Sequence, residues 1–265
     1  MINVGYRYRM TRAWLGIFCG VATWAISIAA FGADHNRLWN IVHNQCIPPA
    51  MRNAGNGPCA EVDLLHHIAV LKDSIGATQY LLIPTDPIEG IEDPAILAPS
   101  APNYAELAWR ARRYVAARVG RPLPRNALAL AVNSKLGRTQ NQLHIHIDCI
   151  RPDVKRTLNH YAAGLDTNWR RLDSSLLGHP YRARRVDGQD LVVNPFRLLA
   201  EDIKPPDQMG RETLVIVGWD FPTAKPGFIV LADGAKPETG DFGAGEEIED
   251  HTCSVLHDNS ASVTP

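Results

Sequence analysis

Residues 142–148 read Gln-Leu-His-Ile-His-Ile-Asp. Polar and apolar residues alternate strictly over this run, the mark of a half-buried β-strand. Successive side chains on a strand face opposite ways, so Leu143, Ile145 and Ile147 should enter the core while Gln142, His144, His146 and Asp148 share the other surface. The whole chain has ten histidines, so two in one row ask for a chemical reason. A free imidazole titrates near pH 6.5 and is largely neutral and nucleophilic at pH 7. One such ring can attack a phosphorus atom, and its neighbour two residues on can hydrogen-bond or protonate the departing oxygen. A rigid strand fixes the separation that the two tasks need. The same pair could instead chelate a cation with Asp148 as third ligand, or be purely structural. No partner cluster for a metal is evident in the sequence, so neither a metal nor a cofactor is expected.

The flanking sequence supplies the elements that would position this row. Residues 127–133 form a further expected strand ending at Asn133. The loop 134–140 then leads into the histidines, and its Lys135 and Arg138 are cationic donors suited to a reacting phosphate. In the same loop Gly137 lets the backbone turn, while Thr139 and Gln140 offer short polar groups at the mouth of the site. Upstream, runs at 67–71 and 79–83 joined by 72–76 predict a hairpin. His66 and His67 at its entrance face opposite ways and make a poor metal pair. Helical spacing is present over 36–46 and over 104–119, the second with Asn103 as N-cap and Gly120 as stop. Beyond Asp153 a helix is expected over 154–165 and a second hairpin from 214–219 and 228–232. Between them His179, Arg184 and Arg185 gather around Tyr181 as candidate ligands for a second phosphate.

At 265 residues the chain can bury a substantial core, and 27 basic against 28 acidic side chains give no field that would attract nucleic acid. Residues 13–33 carry no charge and follow Arg7, Arg9 and Arg12. Such a run is long enough to span a bilayer with its positive flank in the cytoplasm. Cleavage after Ala30-Phe31-Gly32 is the competing fate, although the apolar run exceeds a usual signal-peptide core. The expected organisation is an N-terminal anchor at 1–33 and an exported domain at 34–265, with a core over 34–153 and an extension over 154–256. Outside the apolar run stand Cys46, Cys59, Cys149 and Cys253, an even number that suits an oxidising compartment. Of the three connectivities, Cys46 with Cys59 and Cys149 with Cys253 are expected to pair.

The order helix, hairpin, helix, strand, histidine strand resembles the histidine-triad superfamily, whose signature is His-φ-His-φ-His-φ-φ with φ apolar. Gln142 stands at the first triad position, a departure from that pattern. The resemblance implies that His144 is the nucleophile, that His146 assists at the bridging oxygen, and that Gln142 supports them. Within the superfamily the chain is similar to the membrane-anchored CDP-diacylglycerol pyrophosphatases of Gram-negative bacteria. The similar stretches include residues 58–62, 79–85, 133–153, 178–185 and 247–253. Membership implies hydrolysis of CDP-diacylglycerol to CMP and phosphatidate through a nucleotidyl-histidine. It also implies a single-pass inner-membrane protein with its catalytic domain in the periplasm, handling a lipid substrate in phospholipid metabolism. The fold implied is α+β, an antiparallel HIT-like sheet with helices on one face and a C-terminal extension carrying the second hairpin. Two other functions fit the same residues: a phosphohydrolase or nucleotidyltransferase for a soluble nucleotide diphosphate, and a non-catalytic nucleotide-binding protein.

Overall fold

The computed structural model describes residues 34–204, 206–222 and 225–257. The expected anchor and its cleavage point lie outside them, as does the end of the polar tail. Among the described residues no helix is long and apolar enough to cross a membrane.

The described residues build one ten-stranded sheet in which the strands pair antiparallel. In chain order its strands are β1 (Glu61–Asp63), β2 (Ile68–Lys72), β3 (Tyr80–Pro84), β4 (Leu128–Val132), β5 (Ile145–Ile150), β6 (Arg170–Arg171), β7 (Arg182–Asp187), β8 (Glu212–Asp220), β9 (Pro226–Gly234) and β10 (Glu249–Asp250). They lie in the order β1-β2-β3-β5-β4-β8-β9-β7-β6, and β10 pairs with the end of β5. Both expected hairpins form, as β2 with β3 and β8 with β9. The second joins β4 directly through β8, so residues beyond 153 continue the same sheet. Every residue of β5 is buried, because β3 and β10 cover one edge, β4 the other, and chain packs on both faces.

The helices are α1 (Arg37–Ile41), α2 (Ile47–Met51), α3 (Tyr104–Ala111), α4 (Arg113–Val119), α5 (Pro152–Ala162) and α6 (Pro195–Asp202), with a π-helical stretch, Val42–Cys46, joining α1 to α2. Asn103 caps α3 by accepting the Glu106 N–H, and Gly120 ends α4 at φ +81°. The periodic run 104–119 breaks at Arg112 into two helices.

The larger core takes Tyr104, Trp109, Val115, Leu158 and Phe196 against Leu143, Ile145 and Ile147. A smaller one sets Val42 and Cys46 on Ala69, Leu71, Leu81 and Ile83. Leu81 pairs across from His146, so this second core shares the histidine face. Helices therefore cover both faces of the sheet, where the sequence predicted one. The apolar side of residues 38–46 needs burial, and the Cys46–Cys59 disulfide ties the π-helical stretch to the segment that enters β1. Cys149 pairs with Cys253, so both bridges are the expected ones.

Candidate active site

Strand β5 begins at Ile145, so His144 stands one residue before it and His146 within it. The approach is held by backbone bonds: Asn141 N–H donates to His35 C=O at 2.7 Å and Leu143 N–H to Ile88 C=O at 2.6 Å. The two imidazoles meet edge to face with centroids 4.9 Å apart.

His144 Nδ1 lies 2.7 Å from the Gln142 carbonyl oxygen. A carbonyl only accepts, so Nδ1 carries the proton and Nε2 keeps its lone pair. Burial, and then the neighbouring His146, lower the His144 pKa to about 4, so the ring is neutral at pH 7. His146 is also brought down to about 4, chiefly by burial. Gln79 Nε2 donates to Glu249 Oε2 at 3.0 Å and lies 3.1 Å from His146 Nδ1. With Gln79 donating there too, the His146 proton sits on Nε2, a buried atom with no hydrogen-bond partner. Glu246 Oε2 is 3.2 Å from His146 Nδ1, placed to take a proton from that nitrogen whenever the ring becomes cationic. Asn133 holds Glu246 by donating to Oε1 at 3.0 Å and accepting from its N–H at 3.2 Å.

Both rings line a cavity of about 450 Å3. One wall is α1, through Arg37, Leu38 and Ile41; the end of β2 and the turn after it supply Leu71, Lys72, Asp73 and Ile75; Leu81, Asn133, Thr139, Gln140 and Glu246 also line it. No side chain of α1's own caps its N-terminus. Instead Gln140 Oε1 accepts from Leu38 N–H at 3.0 Å, and Gln140 Nε2 donates to Asp34 C=O at 3.0 Å. The loop before the histidines thus caps the helix that roofs them.

A family model described as CDP-diacylglycerol pyrophosphatase matches residues 33–257. This chain belongs to the CDP-diacylglycerol pyrophosphatase family. A CDP-diacylglycerol pyrophosphatase of Yersinia pestis is 45% identical over 228 residues, 84% of this chain and 86% of that one. Among solved structures, a DUF4931 family protein from Bacillus cereus aligns with 66% of this chain and 84% of its own at 10% identity. Its TM-score of 0.40 is too low to carry a fold assignment.

Within this pyrophosphatase-family chain the expected site residues fall into two groups. His144, His146, Asn133, Thr139 and Gln140 meet at the cavity. The others do not line it. Gln142 is buried with its amide donating to the carbonyls of Pro84 and Asp86, and it serves His144 through its backbone oxygen. Arg138 is bonded to Glu92 at 2.6 Å, and Lys135 lies 3.7 Å from the same carboxylate. Asp148 is fully buried, accepting from Thr78 Oγ1, Cys149 N–H and His251 Nδ1. Cys149 and Cys253, which lie beside it, are joined in a disulfide and offer no thiolate to a metal. Arg184 and Arg185 are on β7, four strand steps from β5, roughly 19 Å at strand spacing. Arg185 is paired with Asp187, and Arg184 stacks over Trp169. His179 lies between Asp241 and Glu247.

Arg37, Lys72, Gln79 and Glu246 were not singled out from the sequence. Lys72 opens the predicted turn of the first hairpin and Gln79 begins its second strand, and pairing that hairpin beside the histidine strand would have found them. Arg37 and Glu246 come from the two ends of the chain and carry no local signal.

Proposed function

We propose that this chain hydrolyses CDP-diacylglycerol to CMP and phosphatidate, with His144 as the nucleophile. The neutral Nε2 of His144, freed by the Nδ1–H bond to Gln142 C=O at the floor of a cavity, carries the assignment. Its lone pair attacks the phosphorus of the CMP half. The anhydride P–O bond breaks, phosphatidate leaves past His146, and cytidylyl-His144 remains. Water then attacks the same phosphorus, the P–N bond breaks, and CMP leaves with neutral His144 restored. Arg37, which is exposed and has no ion-pair partner among the described residues, supplies positive charge facing the diphosphate. Leu38, Ile41, Leu71, Ile75 and Leu81 make the apolar side that receives the glycerol end.

The sequence supports a single-pass anchor at 1–33 that places the domain on the periplasmic side of the inner membrane, with its lipid substrate in reach. The two disulfides agree with that compartment.

The test is CMP release by the full-length chain in mixed micelles, wild type against His144→Ala. Loss of the attacking atom should cost at least about 4 kcal/mol of barrier lowering, on the order of a thousandfold in rate. Near-normal turnover by the variant would remove His144 from the chemistry. Faster turnover of soluble CDP-alcohols or nucleotide sugars than of CDP-diacylglycerol would move the substrate assignment.

A further inference from the structure

We propose that His179, Asp233 and Asp241 form a binding site for a divalent transition cation, with Glu247 orienting the histidine. Asp233 is the penultimate residue of β9, and the turn through Pro237–Thr239 folds back to bring Asp241 beside it, closed by backbone bonds between Lys236 and Asp241. His179 arrives from another part of the chain, at the turn that pairs it with Leu176. One ligand atom from each of the three residues lies within 4.8 Å of the other two, and both aspartates are buried.

An unpaired atom points to a ligand there. Asp241 is only 5% exposed, and its Oδ2 has no hydrogen-bond partner. His179 Nδ1 is 3.2 Å from that oxygen, yet no ring N–H is directed at it. Two atoms bound to one tetrahedral ion at about 2.0–2.1 Å would be roughly 3.3 Å apart, with the ion off the line between them. The pair has that spacing.

The other side of the ring agrees. Glu247 Oε1 lies 3.3 Å from His179 Nε2. A carboxylate beside that nitrogen would orient the ring with Nδ1 toward Asp241, the arrangement that metal-bound histidines have. One imidazole and two carboxylates suit zinc or manganese. The ion would fasten the segment 235–248 to His179. Glu246, beside Glu247 in that segment, faces His146, so the ion would brace the cavity from outside it.

Binding should be read on the full-length chain in detergent, stripped with chelator and titrated with Zn2+ and Mn2+ by calorimetry and thermal unfolding. About one ion per chain, a Kd on the order of micromolar or tighter and a raised Tm are expected for at least one metal. Asp241→Asn and His179→Gln should weaken binding at least about a hundredfold, and Glu247→Gln about tenfold to a hundredfold. His144→Ala should bind like the wild type, which separates this site from the hydrolytic chemistry. Absence of saturable binding by wild type at millimolar metal would overturn the proposal. So would unchanged binding by a folded Asp241→Asn, or binding that disappears in His144→Ala instead, which would place the ion on the catalytic pair.

Discussion

The site depends on which atom of each histidine holds a proton. His144 is committed by a backbone carbonyl, and any residue at position 142 supplies one. Gln142 in place of a histidine is therefore compatible with an intact nucleophile. Gln142→Ala should lower stability by about 1–3 kcal/mol, because one buried and one part-buried carbonyl lose their donor. It should leave kcat within about tenfold of wild type; denaturant melts and CMP release check the two effects. His146→Ala removes a donor to a leaving group that departs readily as phosphatidate, so its kcat should fall less than that of His144→Ala. A larger loss for the His146 variant would exchange their roles. With His144 neutral down to about pH 4, kcat/KM should stay level from pH 8 to about pH 5 and then decline.

At the scale of elements, the cavity has α1 as one wall, and two contacts hold that wall in place. Gln140 caps it, and the Cys46–Cys59 bridge fixes the π-helical stretch that follows. Gln140→Ala should cost about 1 kcal/mol of stability and raise KM more than it lowers kcat, since Arg37 rides on the freed turn. Steady-state kinetics would show the opposite split if α1 only shields the core. Gly243 is a second point of control: it sits at φ +67°, and a Cβ there would meet Ser134 Cβ at 2.9 Å. Ser134 N–H donates to Gly243 C=O, so Gly243→Ala should displace Glu246 and lower kcat.

Much at this scale was legible in the sequence. Alternation located β5, turn residues located both hairpins, and Asn103 and Gly120 bounded the helical run. The order of strands was not legible. Arg184 and Arg185 look like phosphate ligands in sequence, yet β4, β8 and β9 stand between β7 and the histidines. Gly137, read as a turn residue, is also needed for close approach to the carbonyls of Phe242 and Gly243.

Over the whole molecule, the same burial that keeps the histidines neutral links stability to pH. Both rings have folded pKa values of about 4, below the unfolded value near 6.5, so the unfolded chain binds more protons between those limits. Stability from these groups is complete above about pH 6.5 and is lost as pH falls toward 4, on the order of 3 kcal/mol for each ring. Equilibrium unfolding of wild type and a His144→Ala, His146→Ala double variant should show a shallower acid decline in the variant.

The covalent intermediate is the most direct test. Full-length protein mixed with CDP-diacylglycerol, quenched in base within one turnover and digested for mass spectrometry should yield a cytidylyl adduct on the peptide carrying His144, formed and discharged at rates matching CMP release. Fragmentation that puts the adduct on His146, or burst-free turnover with no adduct on either ring, would contradict the account.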